Sequence, residues 1–191
     1  MHQVRTISRK EQVHQCIDKL EIGNISFDIL GSYIAGFVDG EGSFNVSLRK
    51  SPDYRLGWQP VLSFNVSQKY LDILLVLKSV FMCGIIKRRK CDGLYSFDIT
   101  NPKEIMLKVI PFFEKNRLLS TNKRSSFELF KKIAILMANK EHLNESGLLK
   151  ILQLREDLNP GAGRTRKYSI ISVFPLQSSQ TIRQASSGKK I

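Results

Sequence analysis

Two carboxylates carry the first chemical signal. In YIAGFVDGEGSF (residues 33–44), Asp39 and Glu41 stand one residue apart and each is followed by a glycine. DGEG can be a tight turn, with Gly40 or Gly42 at positive φ on the way into a strand. It can also be a cation site, because Mg2+ is typically held by one or two carboxylates together with phosphate oxygens and waters. If the preceding residues form a helix, both acids arrive at its C-terminus, where the dipole is itself negative and a carboxylate is disfavoured. A divalent cation there removes the conflict. On such a helix Ser32, Gly36 and Gly40 recur at i, i+4 and i+8, with Ala35 beside them. A stripe of small residues lets another backbone approach closely. Glycine inside a helix costs roughly 1 kcal/mol relative to alanine, so two of them need a reason of that kind.

The elements that must position these acids follow from periodicity. Residues 28–38 suit a helix, with Asp28 or Ser32 as its cap. SFNVSLR (43–49) alternates Phe44, Val46 and Leu48 with polar residues, the mark of a half-buried strand. SPDYRLG (51–57) is a turn, and VLSFNVSQ (61–68) repeats the alternation. An apolar helix is expected over 71–81, ended by Cys83-Gly84. IIKRRK (85–90) and LYSFDIT (94–100) form a second strand pair around Cys91-Asp92-Gly93. Asn101-Pro102-Lys103-Glu104 is a capped helix start. Helices are expected at 102–115, 123–139 and 146–157. The class is α+β, in the order αββαββα with further C-terminal helices. The domain spans 26–158, between an N-terminal arm (1–25) and a flexible basic tail (159–191) whose six cations face no acid and in which YSIISVF (168–174) can form a short ordered piece.

One face of the antiparallel sheet packs on helices and the other stays wet. The wet face carries Ser43, Asn45, Ser47, Arg49, Ser63, Asn65, Ser67, Ser96 and Asp98, with Lys87, Arg88 and Arg89 beside it. Asn and Arg can pair with adenine and guanine edges in a major groove wide enough for a β-ribbon. Lysine and arginine nearby would meet phosphates. Lys+Arg 30 against Asp+Glu 17 gives a net charge of +13, which points to a polyanionic partner. A single-stranded RNA platform needs exposed aromatics for stacking. Here the aromatics fall in the core register, which favours duplex DNA. The three cysteines and three histidines show no ligand spacing, and no apolar run is long enough to span a membrane.

IAGFVDGEG (34–42), continued by SF at 43–44, resembles the motif of the LAGLIDADG homing endonucleases. VSQK (66–69) and the FF…LLSTNKR segment (112–124) extend the resemblance over about residues 28–158. The resemblance implies a fold with a saddle-shaped DNA-binding sheet. It also implies a Mg2+ (or Mn2+) ion held by Glu41 and the Gly40 carbonyl, with Asp39 mainly structural. Gln68 matches the residue that positions water, and Lys123 the active-site lysine, with Lys115 as the other candidate. Asp72 stands where some relatives carry a basic residue. One motif per chain implies a homodimer, with Ser32, Ala35, Gly36 and Gly40 at its seam. Such a dimer would make double-strand breaks in a long, near-palindromic target, as an intron-encoded enzyme. The alternative is a group I intron maturase that binds intron RNA on the same fold. A nuclease-dead DNA-binding regulator would be expected to have lost a motif acid. The compartment stays open between an organelle matrix or stroma and the bacterial cytoplasm.

Overall fold

A computed structural model of the chain describes residue 11 and residues 25–90, 92–159 and 166–175. Expectations for the rest of the N-terminal arm, for Cys91, and for 160–165 and 176–191 lie outside the described residues. Helix α1 spans Phe27–Glu41. Its cap is Ser26, whose Oγ accepts the Ile29 N–H at 3.4 Å, rather than Asp28 or Ser32. Leu30, Gly31, Ile34, Ala35 and Val38 are its buried stripe, the spacing of a helix with one face on a core. The helix runs on through Gly40 to Glu41, and Gly42 (φ −78°, ψ 159°) opens the next strand. DGEG is therefore a helix end joined directly to a strand, with neither glycine at positive φ.

Strands β1 (Gly42–Lys50), β2 (Trp58–Gln68), β3 (Ile85–Arg88) and β4 (Tyr95–Ile99) form one antiparallel sheet in the order β1-β2-β4-β3. β1 pairs with β2 from Gly42 opposite Val66 to Lys50 opposite Trp58. β4 reaches only Phe64–Gln68 of β2, so Pro60 has a strand neighbour on one side alone and its missing N–H is harmless. Helix α2 (Asp72–Phe81) ends at Met82 in the left-handed conformation. Gly84 follows at φ +81°, where a Cβ would come within 2.7 Å of the Phe97 ring, so only glycine makes this corner.

Asn101 caps α3 (Pro102–Glu104) as expected, accepting the Lys103 N–H at 2.9 Å. The single helix expected over 102–115 is interrupted by a π-helical turn, Ile105–Val109, before α4 (Ile110–Lys115). Pro111 has no N–H to give, and the Ile110 N–H reaches back five residues to the Ile105 carbonyl. Helices α5 (Thr121–Ala138) and α6 (Glu145–Asp157) complete the layer. Between sheet and helices Phe44, Phe64, Phe81, Phe97, Phe113 and Phe130 are fully buried. The Phe44 ring lies 5.4 Å from those of Phe64, Phe113, Phe127 and Phe130. Each such side chain contributes about 1.5–3 kcal/mol by leaving water. This aromatic block fixes the inner end of the sheet against the helices.

β1 lies at the edge of the sheet, and side chains cover its outer carbonyls. Arg155 Nε donates to the Val46 carbonyl at 2.8 Å, and Asn159 Nδ2 to the Phe44 carbonyl at 2.7 Å. Covering the edge prevents pairing with another chain. Arg155 also donates to the Tyr168 carbonyl at 2.9 Å. Residues 166–175, with the short helix α7 (Ile170–Val173), pack there against Leu48, Leu148 and Leu152. Within the tail expected from 159, the YSIISVF piece forms this short helix, and the Trp58 ring lies 4.8 Å from that of Tyr168. Four apolar side chains of that piece, Tyr168, Ile170, Val173 and Phe174, pack against a second small core.

Candidate active site

The inner end of the sheet, where α1 meets β1, gathers the expected catalytic groups. Asp39 accepts the Leu119 N–H at 3.0 Å, the Ser120 N–H at 2.7 Å and the Ser120 hydroxyl. It therefore fastens the end of α1 to the start of α5, whose N-cap is Ser120. Burial pushes the Asp39 carboxyl up, but these three donors and the nearby Lys123 charge prevail and hold it below its ordinary value. Lys123, in the first turn of α5, turns back so that its Nζ donates to the Gly42 carbonyl. Burial lowers its affinity for the proton, against the opposing pull of Asp39 and Glu41, and the net direction is down.

Glu41 is exposed and makes no hydrogen bond or ion pair with the described residues. Its carboxylate ends a helix whose last carbonyls lack intrahelical partners. One carboxylate and helix-end carbonyls are hard oxygen donors of the kind Mg2+ takes, so the donor types fit that ion. No cluster of three His, Cys, Asp or Glu occurs among the described residues. Gln68 ends β2, two residues past the Gly42–Val66 pair, and so comes out at the same end of the sheet. Its Oε1 accepts the Lys69 N–H at 3.3 Å. Lys115 pairs with Asp28 at 3.0 Å, about 20 Å from Glu41 along α1 at 1.5 Å per residue. Of the two candidate lysines, Lys123 is the one beside the acids. Asp72 is exposed in the first turn of α2.

The outward face of α1 shows Ile29 (64% exposed), Ser32, Tyr33 (57% exposed), Gly36 and Gly40. A Cβ at Gly36 or Gly40 would meet nothing within 4 Å, whereas one at Gly31 would strike Asn116 and one at Gly42 would strike Val38. Gly36 and Gly40 thus leave an open furrow. Ala35 does not belong to it: only 3% exposed, it shares the inward stripe with Gly31 and Val38.

On the open face of the sheet, Ser43, Asn45, Ser63, Asn65 and Ser67 are half-buried, while Ser47 and Arg49 are exposed. Four other expectations change. Ser96 and Asp98 are buried, because β4 is an inner strand and Lys87 lies over Asp98, 2.9 Å from Oδ2 without hydrogen-bond geometry. Arg88 falls on the opposite face, over the Tyr95 ring, and donates to the Gly93 carbonyl. Arg89 is bound to Asp92 within the β3–β4 turn. The face also carries residues the sequence did not single out: Gln59, Val61 and Ile85, with Tyr54 from the turn. Gln59 lies two residues upstream in the same β2 alternation, across Pro60, a residue that strands admit only at an edge or a bulge.

The family model described as LAGLIDADG endonuclease matches residues 34–134. A Neurospora crassa protein named "Probable intron-encoded endonuclease 2" is 34% identical over 149 residues, 76% of this chain and 33% of that protein. The chain spans a third or less of the length of two such Neurospora crassa relatives. Among solved structures, I-SmaMI bound to an uncleaved DNA target with calcium ions has a TM-score of 0.65 at 37% identity. That match covers 70% of this chain and 46% of the other. The archaeal intron-encoded homing endonuclease I-Vdi141I, complexed with DNA, has a TM-score of 0.72 at 27% identity, covering 82% of this chain and 99% of its own. No helix among the described residues is long and apolar enough to cross a membrane. The chain belongs to the LAGLIDADG endonuclease family.

Proposed function

We propose that the chain is an intron-encoded, site-specific DNA endonuclease that acts as a homodimer and depends on Mg2+. The observation that carries this reading is the uncommitted Glu41 carboxylate beside a half-buried Lys123, at the inner end of a sheet whose open face is polar. Glu41 and the Gly40 carbonyl would hold the ion, which when bound would supply Lewis-acid polarisation of the scissile phosphate. Lys123, fixed on the Gly42 carbonyl, offsets the charge that grows on the phosphate oxygens. Gln68 orients the attacking water from the end of β2.

One chain offers one such acid. A second copy, seated along Ser32, Gly36 and Gly40, brings the other, and its two-fold axis calls for a near-palindromic duplex. The open sheet faces lie in the major groove on either side, reading base edges while surrounding cations meet phosphates. DNA complexes among the solved relatives support the duplex as substrate. The test is a cleavage selection on a randomised duplex library with Mg2+, run beside Glu41→Gln. One long, near-palindromic site cut only by the unaltered chain is the expected result. Equal cutting by Glu41→Gln would remove Glu41 from the chemistry, and no cut product from either would overturn the reading.

A further inference from the structure

Resting on that reading, we infer that Arg49 is a guanine reader at the outer end of each half-site, with Gln59 and Tyr54 as its positioning residues. Arg49 and Gln59 face each other across the β1–β2 ladder on the open side of the sheet. Arg49 Nε donates to Gln59 Oε1, and Gln59 Nε2 donates onward to the Tyr54 hydroxyl at 2.8 Å. Tyr54 is itself anchored. Its N–H donates to the Ser51 carbonyl at 3.2 Å, and its carbonyl accepts the Gly57 N–H at 2.7 Å. Its ring stands 5.9 Å from that of His142, in the turn Glu141–Leu143 that joins α5 to α6. A chain of contacts therefore runs from the helical layer, through Tyr54 and Gln59, to one guanidinium.

The chemistry of that guanidinium narrows what it can read. With Nε spent on Gln59, the two terminal nitrogens remain, side by side. They form the planar fork that matches O6 and N7 of guanine. Arg49 is exposed, and no carboxylate pairs with it among the described residues. An arginine left to move freely would meet phosphates anywhere along the groove. One pinned at Nε loses less rotamer freedom on binding, and its fork has one direction, which is the condition for reading a base. Arg49 lies seven residues past Gly42 on β1 (49 − 42). At about 3.3 Å per residue and about 3.4 Å per base pair, the guanine falls roughly six or seven base pairs outward from the cleavage end.

The test is a binding selection with the full chain on a randomised duplex library, in Ca2+ so that retention is read without cleavage. It compares the unaltered protein with Arg49→Lys, Gln59→Leu and Tyr54→Phe. The unaltered chain should return guanine at one outer position per half-site. Arg49→Lys keeps the charge but not the fork, and should lower that preference about tenfold. Gln59→Leu and Tyr54→Phe should each weaken it severalfold. Every other position should keep its preference in all three, which also shows that the variants fold. Uniform weakening at all positions would make Arg49 a phosphate contact and overturn the inference. So would an outer guanine that survives Arg49→Lys, or a motif without one. A library that yields no motif at all would sink the DNA reading as well.

Discussion

The two ends of β1 are built on different principles. At the inner end, the two groups flanking the free Glu41 are tied chiefly to backbone: Asp39 to the Leu119 and Ser120 amides, Lys123 to the Gly42 carbonyl. At the outer end, side chain holds side chain, Arg49 to Gln59 to Tyr54. Backbone contacts depend on the fold and survive most changes of sequence. A side-chain relay can be rewritten one residue at a time. On the proposed function, the contrast would let the chemistry stay fixed while the target changes.

The largest expected effect tests the inner end. Lys123→Met should lower kcat by about 10²–10³-fold with DNA affinity nearly unchanged, the usual cost of removing one preorganised group. A single-turnover rate within threefold of the unaltered chain would break the comparison. Next, Gly36→Leu extends a branched side chain outward from a position where a Cβ meets nothing within 4 Å. The variant should fold normally yet sediment as a monomer, and a dimer of unchanged stability would rule out the furrow as the seam.

Asp39→Asn should cost about 1–2 kcal/mol, in the range of a lost helix cap, and a few degrees of Tm. Its pH dependence has a definite sign. The folded carboxyl lies below its ordinary value of 3.8, so its contribution is complete above that pH. The contribution is lost as pH falls through the lower folded value. Urea melts from pH 2 to 7 should show a flatter acid limb in Asp39→Asn than in the unaltered chain. The smallest effect is expected at Arg89, already neutralised by Asp92. Arg89→Ala should leave the salt slope of DNA binding unchanged, whereas a lost phosphate contact would reduce it by about one.

How much was legible depended on how local each cause was. Phe44, Val46 and Leu48 declared their face because alternation is a property of neighbours. The Asn101 cap was readable for the same reason. The length of α1 was not, since Gly40 and two acids all speak for an ending at Val38. What carries the helix on is Asp39, whose partners lie 80 and 81 residues away. Ser96 and Asp98 looked wet because alternation gives a face but not a place in the sheet. Only the strand order puts them inside. The choice between Lys115 and Lys123 likewise required knowing which end of α1 each one meets.

The cover over β1 has a bearing on how the protein is made. β1 is complete by Lys50, but the groups that close its outer carbonyls come 109 and 115 residues after the positions they serve. On the ribosome the strand waits for nearly the whole domain with a ladder of open acceptors. A messenger broken before the codon for Arg155 would yield a product whose β1 edge stays open to pairing. Synthesis through Asn159 is thus the step at which both of these carbonyls are closed.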